Sequence, residues 1–128
     1  MKETRKGKIQ VSKSGGTATS GFTYKAPVPT TWLKQIGIDS TYRHAWFEKE
    51  GNKIIITIRD SVEVCLNGET VEIPIKRIAA AHESLIEHVD ESISQNIKAT
   101  SIEDFWIQYY DKIGPERFAI ILKKRGVL

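Results

Sequence analysis

Cysteine, proline and long apolar runs are scarce in this chain. The single cysteine, Cys65, cannot form an internal disulfide, so the fold must be held together by noncovalent packing. No apolar run approaches the roughly 18 residues of a membrane-spanning helix, and the charged segment MKETRKGK lacks the apolar stretch of a secretory signal behind it. These absences predict a cytoplasmic protein with no membrane partner.

Motifs for catalysis and metal binding are scarce as well. The stretch GTATSGFT at residues 16–23 matches the P-loop pattern G-x-x-x-x-G-K-[ST] except at Phe22, which stands where the pattern requires lysine. His82 and His88 are six residues apart, which is not the i, i+4 spacing of a helical zinc pair. No nucleophile, base and orienting group can be assembled from the spacing of the other residues. We therefore expect no catalytic residue, no metal, no cofactor and no enzymatic activity.

Apolar and charged residues are plentiful, and the charge is unevenly distributed. The 128 residues are 40% hydrophobic and 27% charged, which is typical of a folded globular protein. Residues 1–59 hold eleven Lys and Arg against four Asp and Glu, whereas residues 60–104 hold three against ten. A basic half followed by an acidic segment favours a polyanion-binding module joined to one that does not bind polyanions.

Alternating apolar residues and strong turn signals predict a β-rich first half. The segments 8–13 and 22–28 each place their apolar residues on one face, as expected of two short strands. The sequence PTTWLKQIG at residues 29–37 predicts a short helix that Gly37 closes. Gly51-Asn52 predicts the turn of a second hairpin.

The pattern changes from strands to helices in the second half. Asn67-Gly68 predicts a type I′ turn in a third hairpin. Apolar residues then recur every three or four positions from 78 to 97, which predicts one amphipathic helix with His82 packed on its apolar side. The acidic residues lie off this stripe. They are either a solvated face or a surface for a basic protein partner.

Two further helices are predicted at the C-terminal end. Ser101 and Asp104 have the spacing of a capping box, and Gly114-Pro115 separates the helix they begin from the last one. Aromatic residues at helical spacing are expected in the core: Phe105, Trp106, Tyr109 and Tyr110. The boundary between β-rich and helix-containing parts falls near residues 59–61. We therefore predict modules at 1–59 and 60–128.

Three stretches of the first module resemble one DNA-binding family. KIQVSKSGG, TYKAPVPTTWLKQIGID and EGNKIIITI, within about residues 7–58, resemble the AbrB/MazE/SpoVT type of swapped-hairpin domain. The resemblance implies an intertwined homodimer in which hairpins of two chains complete one β-barrel and present basic side chains to double-stranded DNA. It also implies a role in transcription regulation, or as an antitoxin that represses its own gene.

The resemblance assigns roles to particular residues. Lys13 matches the basic residue of the first turn, Lys25 matches the one four before a proline, and Lys34 matches a further DNA-facing position. Together with the basic residues near them, the predicted DNA contacts are Arg5, Lys6, Lys8, Lys13, Ser14, Gly15, Gly16, Lys25, Lys34 and Arg43.

The sequence thus predicts an α+β protein: an N-terminal swapped-hairpin β-barrel module that is dimeric, followed by a β-hairpin and C-terminal helices. The predicted function is a homodimeric DNA-binding transcriptional regulator. The alternative is an antitoxin-like or adaptor module whose acidic helix binds a protein partner through Glu83, Glu87 and Glu91. On charge alone, a solvated lysine-rich surface is also compatible with the first module.

Overall fold

Three antiparallel hairpins and six α-helices make up the described part of the chain, which in this computed structural model covers residues 2–13 and 21–128. The strands are β1 (Gln10–Lys13), β2 (Phe22–Lys25), β3 (Ala45–Glu50), β4 (Lys53–Ile58), β5 (Ser61–Leu66) and β6 (Glu69–Pro74). The helices are α1 (Thr30–Gln35), α2 (Ile75–Ala80), α3 (His82–Leu85), α4 (Glu91–Ser94), α5 (Ile102–Ile113) and α6 (Pro115–Lys124). The fold class is therefore mixed α+β.

The first hairpin pairs β1 with β2, with Lys13 opposite Phe22. The predicted turn residues Ser14, Gly15 and Gly16 lie outside the described residues. Strand β2 ends at Lys25, although the apolar alternation predicts a strand up to residue 28. Pro27 explains the early end, because proline has no backbone N–H to donate to a ladder.

The other two hairpins confirm the predicted turns. Strands β3 and β4 are joined at Gly51-Asn52, where Gly51 has a φ of 61°. Strands β5 and β6 are joined at Asn67-Gly68, with φ values of 53° and 81°. Positive φ at both central residues is what a type I′ turn requires, and asparagine and glycine adopt it most easily.

The prediction of a single helix over residues 78–97 is wrong. The chain instead forms α2, α3, a 3₁₀ turn at Ile86–His88 and α4. Val89 is extended, and the Asp90 amide donates to the Tyr109 hydroxyl at 2.8 Å instead of continuing the helix. The Asp90 carboxylate then accepts from the Ser92 amide and so caps α4. These two bonds replace those of a continuous helix, and the apolar stripe still faces the core.

The ends of the last two helices agree with the sequence. The Ser101 hydroxyl accepts from the Asp104 amide at 3.0 Å, which is half of the predicted capping box and caps α5. Gly114 has a φ of 88° and separates α5 from α6, which begins at Pro115. Trp106 and Tyr109 are buried, and Phe105 and Tyr110 are partly buried against them. The aromatic set is therefore core, as predicted.

The hydrophobic core lies in the second module. Within the described residues, all fourteen buried apolar side chains fall between Val62 and Val127. Of the thirteen exposed large apolar side chains, ten lie at or before Ile55. The described residues of this one chain form no closed barrel. The first module therefore has two hairpins and a helix but no core of its own.

Candidate nucleic-acid interface

The β1–β2 hairpin has one polar and one apolar face. Because partners across the ladder share a face, the pairing places Gln10, Ser12, Thr23 and Lys25 on the polar one. Val11, Phe22 and Tyr24 lie on the other face, and each is more than half exposed. Lys13 shares this apolar face, at the strand end beside the turn. Lys13 and Lys25 thus leave the hairpin on opposite sides.

The β3–β4 hairpin also exposes large apolar side chains on one face. Phe47 pairs with Ile56, and Ile54 lies on the same face next to them. Phe47 is 73% exposed and Ile54 is 75% exposed. An isolated two-stranded hairpin is marginally stable in water at best, so a face of this kind needs a packing partner.

Further basic side chains come from the N-terminal arm, residues 2–9, which precedes the first hairpin. Arg5 lies over the ring of Trp32 in α1, at 5.9 Å from the ring centroid, and this cation–π contact holds the N-terminal arm against the helix. Gly7 of this arm packs closely against Pro27, because a Cβ atom at position 7 would lie 3.0 Å from the proline Cγ. Lys8 and Lys25 both line a cavity of about 240 Å³. The arm therefore brings its basic residues to the hairpin.

The other predicted contacts of this group are accessible. Lys6 and Lys13 are exposed, and Lys34 is exposed in the last turn of α1. Arm, hairpin and helix together offer separate cations to a polyanion, which is the arrangement that phosphate neutralisation needs.

Arg43 differs from the other predicted DNA contacts because its charge is already paired. Its Nε atom donates to Oδ2 of Asp104 at 3.2 Å, and its Nη2 atom lies 3.1 Å from the same oxygen. The Arg43 side chain is about half exposed, whereas that of Asp104 is fully buried. We therefore assign Arg43 to the contact between the two modules.

Asp104 collects hydrogen bonds from both modules. The donors to its carboxylate oxygens are Arg43, the His44 Nε2, the Thr100 backbone amide at 2.8 Å and the Gln108 side-chain amide at 3.2 Å. Burial raises the pKa of the Asp104 carboxyl, but these hydrogen bonds, from Thr100 and His44 foremost, outweigh burial and hold the pKa well below its usual range. Asp104 is therefore a buried anion.

A second ion pair joins the modules at the other strand. Arg59, which follows β4, donates through Nη1 and Nη2 to the Asp111 carboxylate at 2.9 Å and 2.8 Å. The Arg59 guanidinium also lies 4.4 Å from the centroid of the Trp46 ring. This bidentate pair places a charged side chain that is 9% exposed between hairpin and helix.

Sequence reasoning did not find either ion pair. The capping pattern predicted that Asp104 lies in the first turn of α5, but nothing in it points to His44, sixty residues earlier. Asp111 and Arg59 are likewise 52 residues apart. A carboxylate on the core side of an amphipathic helix is a signal that a cationic partner must exist, but it does not name the partner.

The predicted partner surface lies elsewhere, on the second module. Glu83, Glu87 and Glu91 are all exposed, and Glu87 contacts Arg125 at 3.5 Å. Because the predicted helix is broken, the three carboxylates stand on α3, the 3₁₀ turn and α4 rather than on one continuous face. The partner-binding role of this surface stays a prediction.

The described residues offer little support for a metal site or a membrane-spanning segment. They contain no cluster of three or more His, Cys, Asp or Glu side chains arranged to hold a metal ion. Among the same residues, no helix is both long and apolar enough to cross a bilayer. Comparison of the chain with protein-family models, with curated proteins and with solved structures gave no match.

Proposed function

We propose that the protein is a homodimeric DNA-binding transcriptional regulator of the cytoplasm that contacts duplex DNA through its first 59 residues. The observation that carries the proposal is the coincidence, in one module, of exposed cations with two hairpins that each have apolar side chains more than half exposed. Exposed cations alone would also fit a lysine-rich surface that contacts only solvent. Exposed apolar hairpin faces alone would fit an oligomer of any function.

A second copy of the chain is the partner that fits the apolar faces best. Val11, Phe22 and Tyr24 offer one exposed face, and Phe47 and Ile54 offer another. Contiguous apolar patches of this kind mark interaction sites on soluble proteins. Two copies that exchange hairpins would cover all four faces with the same residues, as a two-fold symmetric interface requires. This arrangement is the swapped-hairpin barrel that the sequence resemblance implies.

The polar face of β1–β2 is then the surface left for DNA. Lys25 lies on it, Lys8 lines the same cavity as Lys25, and Lys34 adds an exposed charge on α1. Their charges can neutralise phosphates, while Ser12 and Thr23 offer hydroxyl groups that donate to phosphate or to base edges. Lys13 reaches DNA from the strand end. We leave Arg43 out of the contact set because Asp104 holds it.

Selection of bound fragments from a random duplex pool tests this proposal. A two-fold symmetric dimer binds two equivalent half-sites, so the expected result is an enriched motif that is close to palindromic. The selection should be run at low and at moderate salt, because phosphate contacts weaken as salt rises. A pool without enrichment at both salt concentrations would contradict the proposal.

The exposed acidic surface supports a second candidate function, an antitoxin-like or adaptor protein. Glu83, Glu87 and Glu91 lie in the segment 60–104, whose Asp and Glu outnumber its Lys and Arg by seven. A basic protein partner would be complementary to them. Co-purification of such a partner with the parent chain, and its loss when all three are replaced by lysine, would favour this function. Retention of the partner by the triple variant would exclude this surface.

A further inference from the structure

Two carboxylates on one helix hold the two ends of the β3–β4 hairpin. Asp104 and Asp111 are seven residues apart in α5, which is close to two turns, so they lie on the same side of the helix about 10 Å apart along its axis. Arg43 and His44 immediately precede β3, and both contact Asp104. Arg59 immediately follows β4 and contacts Asp111.

The base of the hairpin is closed as well as anchored. The Arg59 amide donates to the His44 carbonyl at 2.8 Å, so the residues on either side of the hairpin are bonded to each other. The loop before β3 has two more bonds to the start of α5: the Thr100 hydroxyl donates to the Ser40 carbonyl at 2.7 Å, and the Ser101 hydroxyl donates to the Thr41 carbonyl at 3.1 Å. These contacts join a hairpin without a core to a helix that has one.

Attachment at two points constrains the direction of the hairpin more than attachment at one point does. A hairpin joined to α5 through Asp104 alone could swing about that joint, whereas the second joint at Asp111 fixes its direction. Ion pairs of this kind contribute little net stability, because desolvation offsets their attraction, but in several proteins they specify one arrangement over others. The hairpin beyond these joints exposes the apolar face that the proposed dimer must cover.

We propose that Asp104 and Asp111 are positioning residues of the DNA-binding module, and that α5 fixes the direction in which the β3–β4 hairpin projects toward the second copy. This inference rests on the proposed function for its role in DNA binding. The fixed direction of the hairpin does not rest on the proposed function, because it is a property of one chain without DNA. In this arrangement the second module orients the first, and only the first contacts DNA.

Distances between two spin labels in the full chain test the direction without DNA. One label is placed by Asn52→Cys at the tip of the hairpin and the other by Lys123→Cys on α6, in a Cys65→Ser background. Labelled chain is diluted into a large excess of unlabelled Cys65→Ser chain, so that only distances within one chain are measured. We expect one narrow distance distribution for the parent, and loss of that narrow peak in Asp104→Asn and Asp111→Asn.

Glu103→Gln is the matched control, because it removes the same charge from the first turn of the same helix. Within the part of the chain that the structure describes, the Glu103 side chain makes no hydrogen bond or ion pair to the β3–β4 hairpin, so its variant should keep the narrow peak. If Asp104→Asn loses helical content, Asp111→Asn decides, since the Asp111 side chain is partly exposed. A narrow peak at the parent distance in Asp111→Asn, or in both variants, overturns the proposal.

DNA affinity is a second measurement, because a positioning role and a direct effect of charge predict opposite changes in it. Removing a carboxylate near DNA should strengthen binding if the charge alone mattered, because phosphates repel it. A positioning role predicts weaker binding by both Asp variants with an unchanged salt slope, since the slope counts phosphate contacts. A chain that binds no DNA at all would sink the proposed function while the label distances still decided the positioning role.

Discussion

The indole of Trp106 donates from Nε1 to Nδ1 of His82 at 3.0 Å, although 24 residues separate the two. Trp106 is fully buried, and His82 is partly buried over it with the ring planes at 73°. A buried indole N–H needs an acceptor, and here the imidazole supplies it. The bond requires His82 to be neutral with its proton on Nε2. His82 therefore has a structural role in the second module.

Loss of this acceptor should destabilise the second module. We expect His82→Ala to lower the free energy of unfolding by about 1–3 kcal/mol, because it leaves a buried donor without a partner. Urea unfolding followed by tryptophan fluorescence and by circular dichroism measures the change. His88→Ala is the matched control, since His88 is exposed in the same segment and should behave like the parent. Equal losses in the two variants would contradict this role.

Acid stability should depend on Asp104. Its pKa is held below that of an unfolded Asp, so the stability it contributes is fully present above about pH 5 and is lost as the pH falls below about 4. We expect Asp104→Asn to be less stable than the parent by about 1–3 kcal/mol at neutral pH, because the amide cannot accept all the hydrogen bonds that the buried carboxylate accepts. Unfolding free energies measured down to pH 2 should then fall less steeply in the variant than in the parent. Glu103→Gln should keep the steep fall of the parent, and a parallel fall in Asp104→Asn would count against the role of Asp104.

Single lysine substitutions should separate phosphate contacts from the rest of the basic surface. We expect Lys25→Ala and Lys13→Ala each to weaken binding of duplex DNA and to lower the slope of log K against log salt by about 0.9 per lost contact. Binding titrations across a salt series give both values. Lys98→Ala, at an exposed lysine of the second module, should leave the slope unchanged. If all three slopes equal that of the parent, the two lysines are not phosphate contacts.

Charge on an uncovered hairpin face should prevent dimer formation. We expect Phe47→Glu and Ile54→Glu to shift the chain from dimer to monomer, because each would bury an unpaired carboxylate in the interface. The second module should keep its helical content in both. Sedimentation velocity and circular dichroism measure the two effects. Ile120→Glu changes an equally apolar, exposed residue of α6 and should remain dimeric; a monomeric parent would contradict the dimer itself.

Local chemistry explains the parts of the fold that the sequence predicted. The turns at Gly51 and Asn67 and the cap at Ser101 depend on residues within a few positions of one another, so a single segment contains the whole signal. The aromatic core of α5 follows from helical spacing, which is equally local. The break in the helix predicted over residues 78–97 has no such local signal. It depends on the Tyr109 hydroxyl, which lies 19 residues beyond Asp90.

The same reasoning separates the predicted and unpredicted parts of the site. The basic residues Lys8, Lys25 and Lys34 could be named because an exposed charge needs no partner within the chain. Arg43 could not be told apart from them, because its pairing depends on Asp104, 61 residues away. The sequence pattern also placed Lys25 away from the apolar face, and the ladder agrees. Which charges are free and which are paired is a property of the tertiary structure alone.

The three consecutive isoleucines of β4 carry one more consequence. Ile54, Ile55 and Ile56 form an uninterrupted β-branched run without proline, in a sheet to which the described residues 2–13 and 21–128 add no third strand. Such runs tend to stack with copies of themselves into fibrils, and flanking charges such as Lys53 act as gatekeepers against it. A second copy that covers this strand would therefore also protect a newly made chain from aggregation.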